Sequence, residues 1–157
     1  MAKSTRRVLD ALQQAGIDTE IHTMPSSTRT AEEAADACNC ALGQIVKSLI
    51  FEGTNSGDLY LLLVSGANQV DLEAVTAEIG EPLQRADPKD VRARTGFAIG
   101  GVSPVGHLEQ PSTLIDEDLL TFDRVWAAAG APNAVFEINP QQLLTMTDAR
   151  RLKPATV

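Results

Sequence analysis

The sequence predicts an α+β fold: a mixed, largely antiparallel sheet with helices packed outside it. Three observations carry this expectation. Strand-like and helix-like segments are interleaved without the regular βαβ period of a doubly wound fold. The stretch "QIVKSLIFEGTNSGDLYLLLVSG" holds two apolar, β-branched-rich runs around a Gly, Thr, Asn, Ser and Asp loop, which reads as a hairpin at the centre of the sheet. At 157 residues, 43% hydrophobic and 22% charged, the chain has material for one domain over 1–157 with its own core.

Along the chain, Val8, Leu9, Leu12 and Ala15 recur at helical spacing, with Ser4 or Thr5 as cap and Gly16 as stop, giving a first helix over 5–15. "TEIHTMP" alternates and ends at Pro25, as a short strand does. Thr30 and Glu33 stand at the spacing of a reciprocal cap and open a second helix. After the hairpin, Leu72, Val75 and Ile79 share one helical face that closes on Gly80. "DPKDVRART" begins another helix with Asp87 as cap, Pro88 in the first turn and Gly96 as stop. "STLIDEDLL", "RVWAAAG" and "NAVFEI" are short and apolar, and "NPQQLLTM" repeats the cap-plus-proline start at Asn139 and Pro140. The tail carries Arg150, Arg151 and Lys153, which read as a solvated basic cluster ending in a proline.

Thirteen Lys and Arg stand against 21 Asp and Glu, a formal net charge of −8, so the field of the whole molecule repels a nucleic-acid backbone. Any such contact must be local. Aromatics at 4% are too few for a platform on which successive bases stack. The sequence holds no apolar run long enough to span a bilayer, and its amphipathic start differs from a secretion signal, so a cytoplasmic protein with no membrane partner is expected. Cys38 and Cys40 are too close for an ordinary disulfide and fit reduced thiols.

Two features stand out as candidates for chemistry. In "IVKSLIF" the strand period places Ile45, Lys47, Leu49 and Phe51 on one face, a row of three large apolar side chains around one cation. Lys47 either snorkels to water at a sheet edge or is held at a pocket wall, where low dielectric strengthens its grip on a phosphate or carboxylate. "GFAIGGVSPVGH" puts Gly96, Gly100, Gly101 and Gly106 around Pro104. Such a segment is either a tight connection or a nest of outward N–H groups for an oxyanion or phosphate. Neither nucleotide-binding glycine pattern occurs in it.

Other residues give weaker signals. A metal held by Cys38, Cys40, His22 and His107 is disfavoured, because two positions apart on a helix the cysteines face different ways. His107 follows the glycine segment as a base, a substrate contact or a structural histidine. No nucleophile elbow surrounds Ser48, Ser65 or Ser103, which argues against covalent catalysis. Asp116 in "LIDEDLL" reads as a cap in preference to a pocket carboxylate.

"TAEEAA" at 30–35, "IVKSLIF" at 45–51, "TGFAIGGVSPVGH" at 95–107 and "LID" at 114–116 together resemble the YbaK/ProX family, freestanding relatives of the editing domain inserted in bacterial prolyl-tRNA synthetases. The resemblance covers nearly the whole chain. It implies a curved, barrel-like sheet and an aminoacyl-tRNA deacylase that removes a wrong, small amino acid from tRNA in trans, with no metal or other cofactor. By motif position, Lys47, Gly100 and Gly101 would be the catalytic parts, and Thr30, Ser103, Pro104, Gly106, His107 and Asp116 would surround the substrate. The implied partners are the CCA end of an aminoacyl-tRNA and a synthetase; a small positive mouth then suffices despite the charge of −8. Val105 departs from the family pattern, where many members carry an aromatic. Which amino acid and which tRNA are edited, and the oligomeric state, stay open. So does a noncatalytic aminoacyl-tRNA or synthetase-binding module built on the same cleft.

Overall fold

The computed structural model describes residues 1–25, 28 and 30–153. In chain order it contains α1 (Lys3–Gln14), β1 (Ile21–Thr23), α2 (Ala31–Cys38), β2 (Val46–Gly53), β3 (Leu59–Ser65), α3 (Leu72–Ile79) and β4 (Leu83–Arg85). Then follow α4 (Pro88–Thr95), β5 (Ser112–Asp116), β6 (Val125–Ala128), β7 (Ala134–Ile138), α5 (Pro140–Thr147) and β8 (Arg150–Leu152). The expected α+β architecture is present, with the β2–β3 hairpin inside a five-stranded mixed sheet of order β4-β2-β3-β5-β8. A second, three-stranded antiparallel sheet runs β1-β7-β6. Among the described residues the strands do not close into a barrel. A single parallel bridge among the described residues, Ile45↔Trp126, joins the sheets.

β3 is buried along its whole length because both faces of the larger sheet are covered. Leu61 and Leu63 point into the main core with Val8 and Leu12 of α1, Phe136 and Ile138 of β7, and Leu143 of α5. Tyr60, Leu62 and Val64 point the other way, onto Val75 of α3 and Leu114 of β5. Each fully buried Leu contributes on the order of 1.5–3 kcal/mol over an exposed one, so this strand anchors the fold.

Local chemistry sets the helix ends largely as read. Thr30 Oγ1 accepts the Glu33 N–H at 3.1 Å; in place of the second reciprocal bond, the Thr30 hydroxyl lies 3.2 Å from Glu33 Oε1. Asp87 and Asn139 accept the Lys89 and Gln141 N–H groups at 2.9 and 2.8 Å. α1 differs: it starts at Lys3, and Ser4 donates to the Gly130 carbonyl at 2.7 Å in place of capping. A tertiary hydrogen bond has taken the hydroxyl.

Two three-residue strands escape the sequence reading. β4 lies beside Pro82 and pairs with β2 only over Phe51–Gly53. β8 turns the expected solvated tail into an edge strand, parallel to β5 from Leu114↔Arg150 to Asp116↔Leu152. Its two arginines stay exposed, so no apolar alternation announced it. Pro154 lies outside the described residues. The 54–58 loop is held by Glu81, whose carboxylate accepts from the N–H groups of Asn55 and Ser56, the Ser56 hydroxyl and the Tyr60 hydroxyl. Those bonds, the Ser56 backbone first, hold Glu81 down to about 2.

Candidate active site

The outer edge of β2 is only partly used. β4 covers Phe51–Gly53 and Trp126 meets Ile45, which leaves the edge between them without a strand partner among the described residues. Gly53 N–H donates to Asp58 and Gly66 N–H to the Ile45 carbonyl, so the odd-numbered residues of β2 bond towards β3. By the alternation of an antiparallel ladder, the N–H and C=O groups of Ser48 and Ile50 turn outward.

A cavity of about 620 Å³ opens against this edge. That volume suits a small-molecule site. Every residue from Ile45 to Phe51 lines it, faced by Trp126, Ala127 and Ala128 of β6 and by Val135 of β7. Thr30, Ala31 and Ala34 border it from α2, Arg85 and Ala86 from the β4 side, and Ile99, Gly100 and Val102 from the glycine segment. Lys47, Gly100 and Thr30 therefore share one hollow. No histidine or carboxylate lines it among the described residues; its ionised side chains are Lys47 and Arg85.

Lys47 is half-buried and donates a hydrogen bond to the main-chain carbonyl of Asn68. Asn68 is itself fixed: its side-chain amide donates to Asp116 at 2.9 Å and to Asp118 at 2.8 Å. Asp116 also accepts the Ser65 and Asp118 N–H groups, at 3.0 and 2.9 Å. It is thus a buried cap that braces Asn68, and it stands off the cavity. Leu49 and Phe51 pack on the α3 side of the sheet as their row requires, whereas Ile45, just ahead of β2, packs with Ala34 and Ala35 of α2.

The glycine segment is divided in use. Gly100 has φ +98° with open space where a Cβ would stand, and its N–H and that of Val102 meet no acceptor among the described residues. Gly101 N–H closes a turn onto Ala98 at 3.0 Å. Ser103 is fully buried, with its hydroxyl accepting the Val105 N–H at 3.2 Å, and the Pro104 carbonyl accepts from Gln110 at 3.2 Å. Gly106, at φ +80°, lies so close to α1 that a Cβ would stand 3.0 Å from the Arg7 carbonyl. Gly101, Ser103, Pro104, Gly106 and His107 do not line the cavity.

His107 sits beneath the segment, with Nε2 2.6 Å from the Ser103 carbonyl and its ring edge-on to Phe97 at 4.8 Å. Burial, aided by Arg7, drives its pKa down to about 4 despite the Ser103 bond, so the ring is neutral at pH 7. Burial also raises Cys38 to about 11 and raises Cys40, which makes both poor nucleophiles. Among the described residues no three His, Cys, Asp or Glu side chains converge as a metal site, and no helix is long and apolar enough to cross a membrane.

Sequence reasoning missed Asn68, Arg85, Trp126 and Arg7. Arg7 clamps both ends of the glycine segment, donating to the Gly96 carbonyl at 2.6 Å and to the Gly106 carbonyl at 3.3 Å. Only fold topology brings residues this far apart together, and none of the four lies in a local motif.

The chain is similar to known proteins in sequence and in fold. The profile of the family described as the aminoacyl-tRNA editing domain matches residues 25–146. The crystal structure of a candidate trans-editing enzyme for prolyl tRNA synthetase superposes with a TM-score of 0.92 at 47% identity, covering 100% of this chain and 99% of that one. The uncharacterized protein YwhH of Bacillus subtilis (strain 168) is 32% identical over 127 residues, 80% of each chain. EbsC of Enterococcus faecalis (strain ATCC 700802 / V583), named a candidate Cys-tRNA(Pro)/Cys-tRNA(Cys) deacylase, is 26% identical over 122 residues, 77% of this chain and 74% of EbsC.

Proposed function

Since the chain belongs to the aminoacyl-tRNA editing domain family, we propose that it is a cytoplasmic trans-editing deacylase that hydrolyses the ester between a small noncognate amino acid and tRNA. The observation that carries this reading is the meeting of Lys47 and Gly100 at one cavity along an open strand edge. Water attacks the acyl carbon, the bond to the ribose oxygen breaks, and the proton of the water passes to that oxygen. The ester is already activated, so orientation and charge stabilisation can supply the catalysis. The N–H groups of Gly100 and Val102 stabilise the developing oxyanion, while the buried Gly101 and the Ser103–His107 stretch support the loop. The neighbouring ribose hydroxyl supplies the proton relay that the cavity walls lack.

Lys47 and Arg85 form a local positive mouth on an acidic molecule, suited to the phosphates of an exposed CCA end. The tRNA and a synthetase, as the name of the structural neighbour indicates for that protein, are the proposed partners. Selectivity has a physical motive: one methylene is worth only about 1–3 kcal/mol to a synthetase pocket, so small amino acids need a second sieve.

A panel of mischarged tRNAs tests the reading. The wild type releases the amino acid, and Lys47→Ala loses on the order of 10²–10³ in kcat/KM with its melting temperature kept. Full activity in Lys47→Ala removes that residue from the mechanism. Tight binding without turnover in the wild type favours a noncatalytic module.

A further inference from the structure

Ser48 is where the cavity wall is chemically incomplete. Its hydroxyl oxygen is buried and meets no partner among the described residues. A buried hydroxyl without a partner is uncommon in a folded protein. The same residue turns its main-chain N–H and C=O to the unpaired edge, opposite the apolar Trp126, Ala127 and Ala128. Two main-chain groups of one residue thus face a hollow with little else to bond them, and its unpartnered hydroxyl lies buried beside them.

In an antiparallel ladder, a hydrogen-bonded pair exchanges two bonds: each residue gives its N–H to the other's carbonyl. An aminoacyl ester carries that same pair of groups, an α-ammonium donor and an acyl oxygen acceptor on either side of one Cα. Resting on the deacylase reading, we propose that the aminoacyl group docks on Ser48 as a strand partner one residue long. Its α-ammonium donates to the Ser48 carbonyl and, once a χ1 rotation brings the buried hydroxyl to the edge, to that hydroxyl as well. Its acyl oxygen accepts the Ser48 N–H, adding a donor to those of the glycine segment. Strand alternation supports the charge arrangement. Lys47 and Ser48 project to opposite faces of β2, and the Lys47 ammonium is drawn to the Asn68 carbonyl. The substrate cation therefore meets acceptors on its side of the strand. The α-ammonium becomes a recognition element common to every amino acid the cavity admits.

The test compares alanyl-tRNA with lactyl-tRNA, and seryl-tRNA with glyceryl-tRNA, pairs that differ only in an α-ammonium replaced by a hydroxyl. Each rate is divided by the spontaneous hydrolysis of the same ester. The wild type should accelerate hydrolysis of the better aminoacyl ester at least about tenfold more than that of its hydroxyacyl twin, the size of a lost hydrogen bond to a charged group. Ser48→Ala should shrink this ratio and Ser48→Thr should keep it. Equal acceleration of both esters by the wild type overturns the docking proposal and leaves the deacylase reading standing. An unchanged ratio in folded Ser48→Ala overturns the part given to its hydroxyl. Failure to accelerate any of the four esters or any member of the mischarged panel overturns the deacylase reading and the docking with it.

Discussion

The Lys47 ammonium is tied to the main-chain carbonyl of Asn68, twenty-one positions along the chain. That carbonyl is held in turn by the Asn68 side chain on Asp116 and Asp118. Asn68→Ala keeps the acceptor and removes its anchors, so it should lower kcat/KM by about five- to thirtyfold, less than Lys47→Ala does. If Asn68 acts only through Lys47, the double variant should be no worse than Lys47→Ala alone. Additive losses in that cycle would assign Asn68 an independent part.

Gly100 and Gly106 both have positive φ, yet only Gly106 abuts another element. Gly106→Ala combines backbone strain with crowding against Arg7 and should cost about 1–3 kcal/mol, lowering the melting temperature. Gly100→Ala meets open space and should melt closer to wild type while losing more deacylation. Thermal melts and ester hydrolysis on the two variants check the reversed order.

Neutral His107 ties stability to acidity. Its folded pKa is depressed from 6.5 to about 4, so the unfolded chain takes up the proton first. Stability is full above pH 6.5 and falls as pH drops through about 4. A His107→Asn variant should show a flatter melting temperature between pH 7 and pH 4.

Glu81 acts further down the scale. Its carboxylate is held at about 2 against 4.5, so its contribution is complete above 4.5 and disappears as pH falls towards 2. Glu81→Gln should melt below wild type at neutral pH, and the gap should close in acid. A constant gap across that range would exclude the loop carboxylate as the source.

The parts of the fold that could be read in advance are those fixed by local chemistry. The caps at Thr30, Asp87 and Asn139, the stops at Gly80 and Gly96, and the hairpin each depend on residues within a few positions of one another. β4 and β8 were hidden because each is three residues long and two of the three are exposed polar side chains side by side, Gln84 and Arg85 in one and Arg150 and Arg151 in the other, which shows no alternation. At the site, the lysine in an apolar row and the glycine density were legible, and the structure places Lys47 and Gly100 at one cavity. Which glycine faces the hollow and which faces α1 was not, since that depends on Arg7 reaching across from the first helix. Asp116 read locally as a cap and accepts the Asp118 N–H as one; that its other oxygen braces Asn68 and Ser65 depends on contacts about fifty positions away and was not legible.

β2 is sealed to β3 through seven consecutive residue pairs while its other margin borders the cavity. A guest pressed against that margin meets a wall that cannot recoil, so the space allowed to it is decided across the gap. Ala127 and Ala128 stand there, small residues on a different sheet. Enlarging Ala128, the partly exposed one, would retune the size limit without loosening the strand that anchors the molecule, whereas Ala127 is packed into the main core. On the deacylase reading, preference among amino acids can therefore drift in evolution while the scaffold stays as it is.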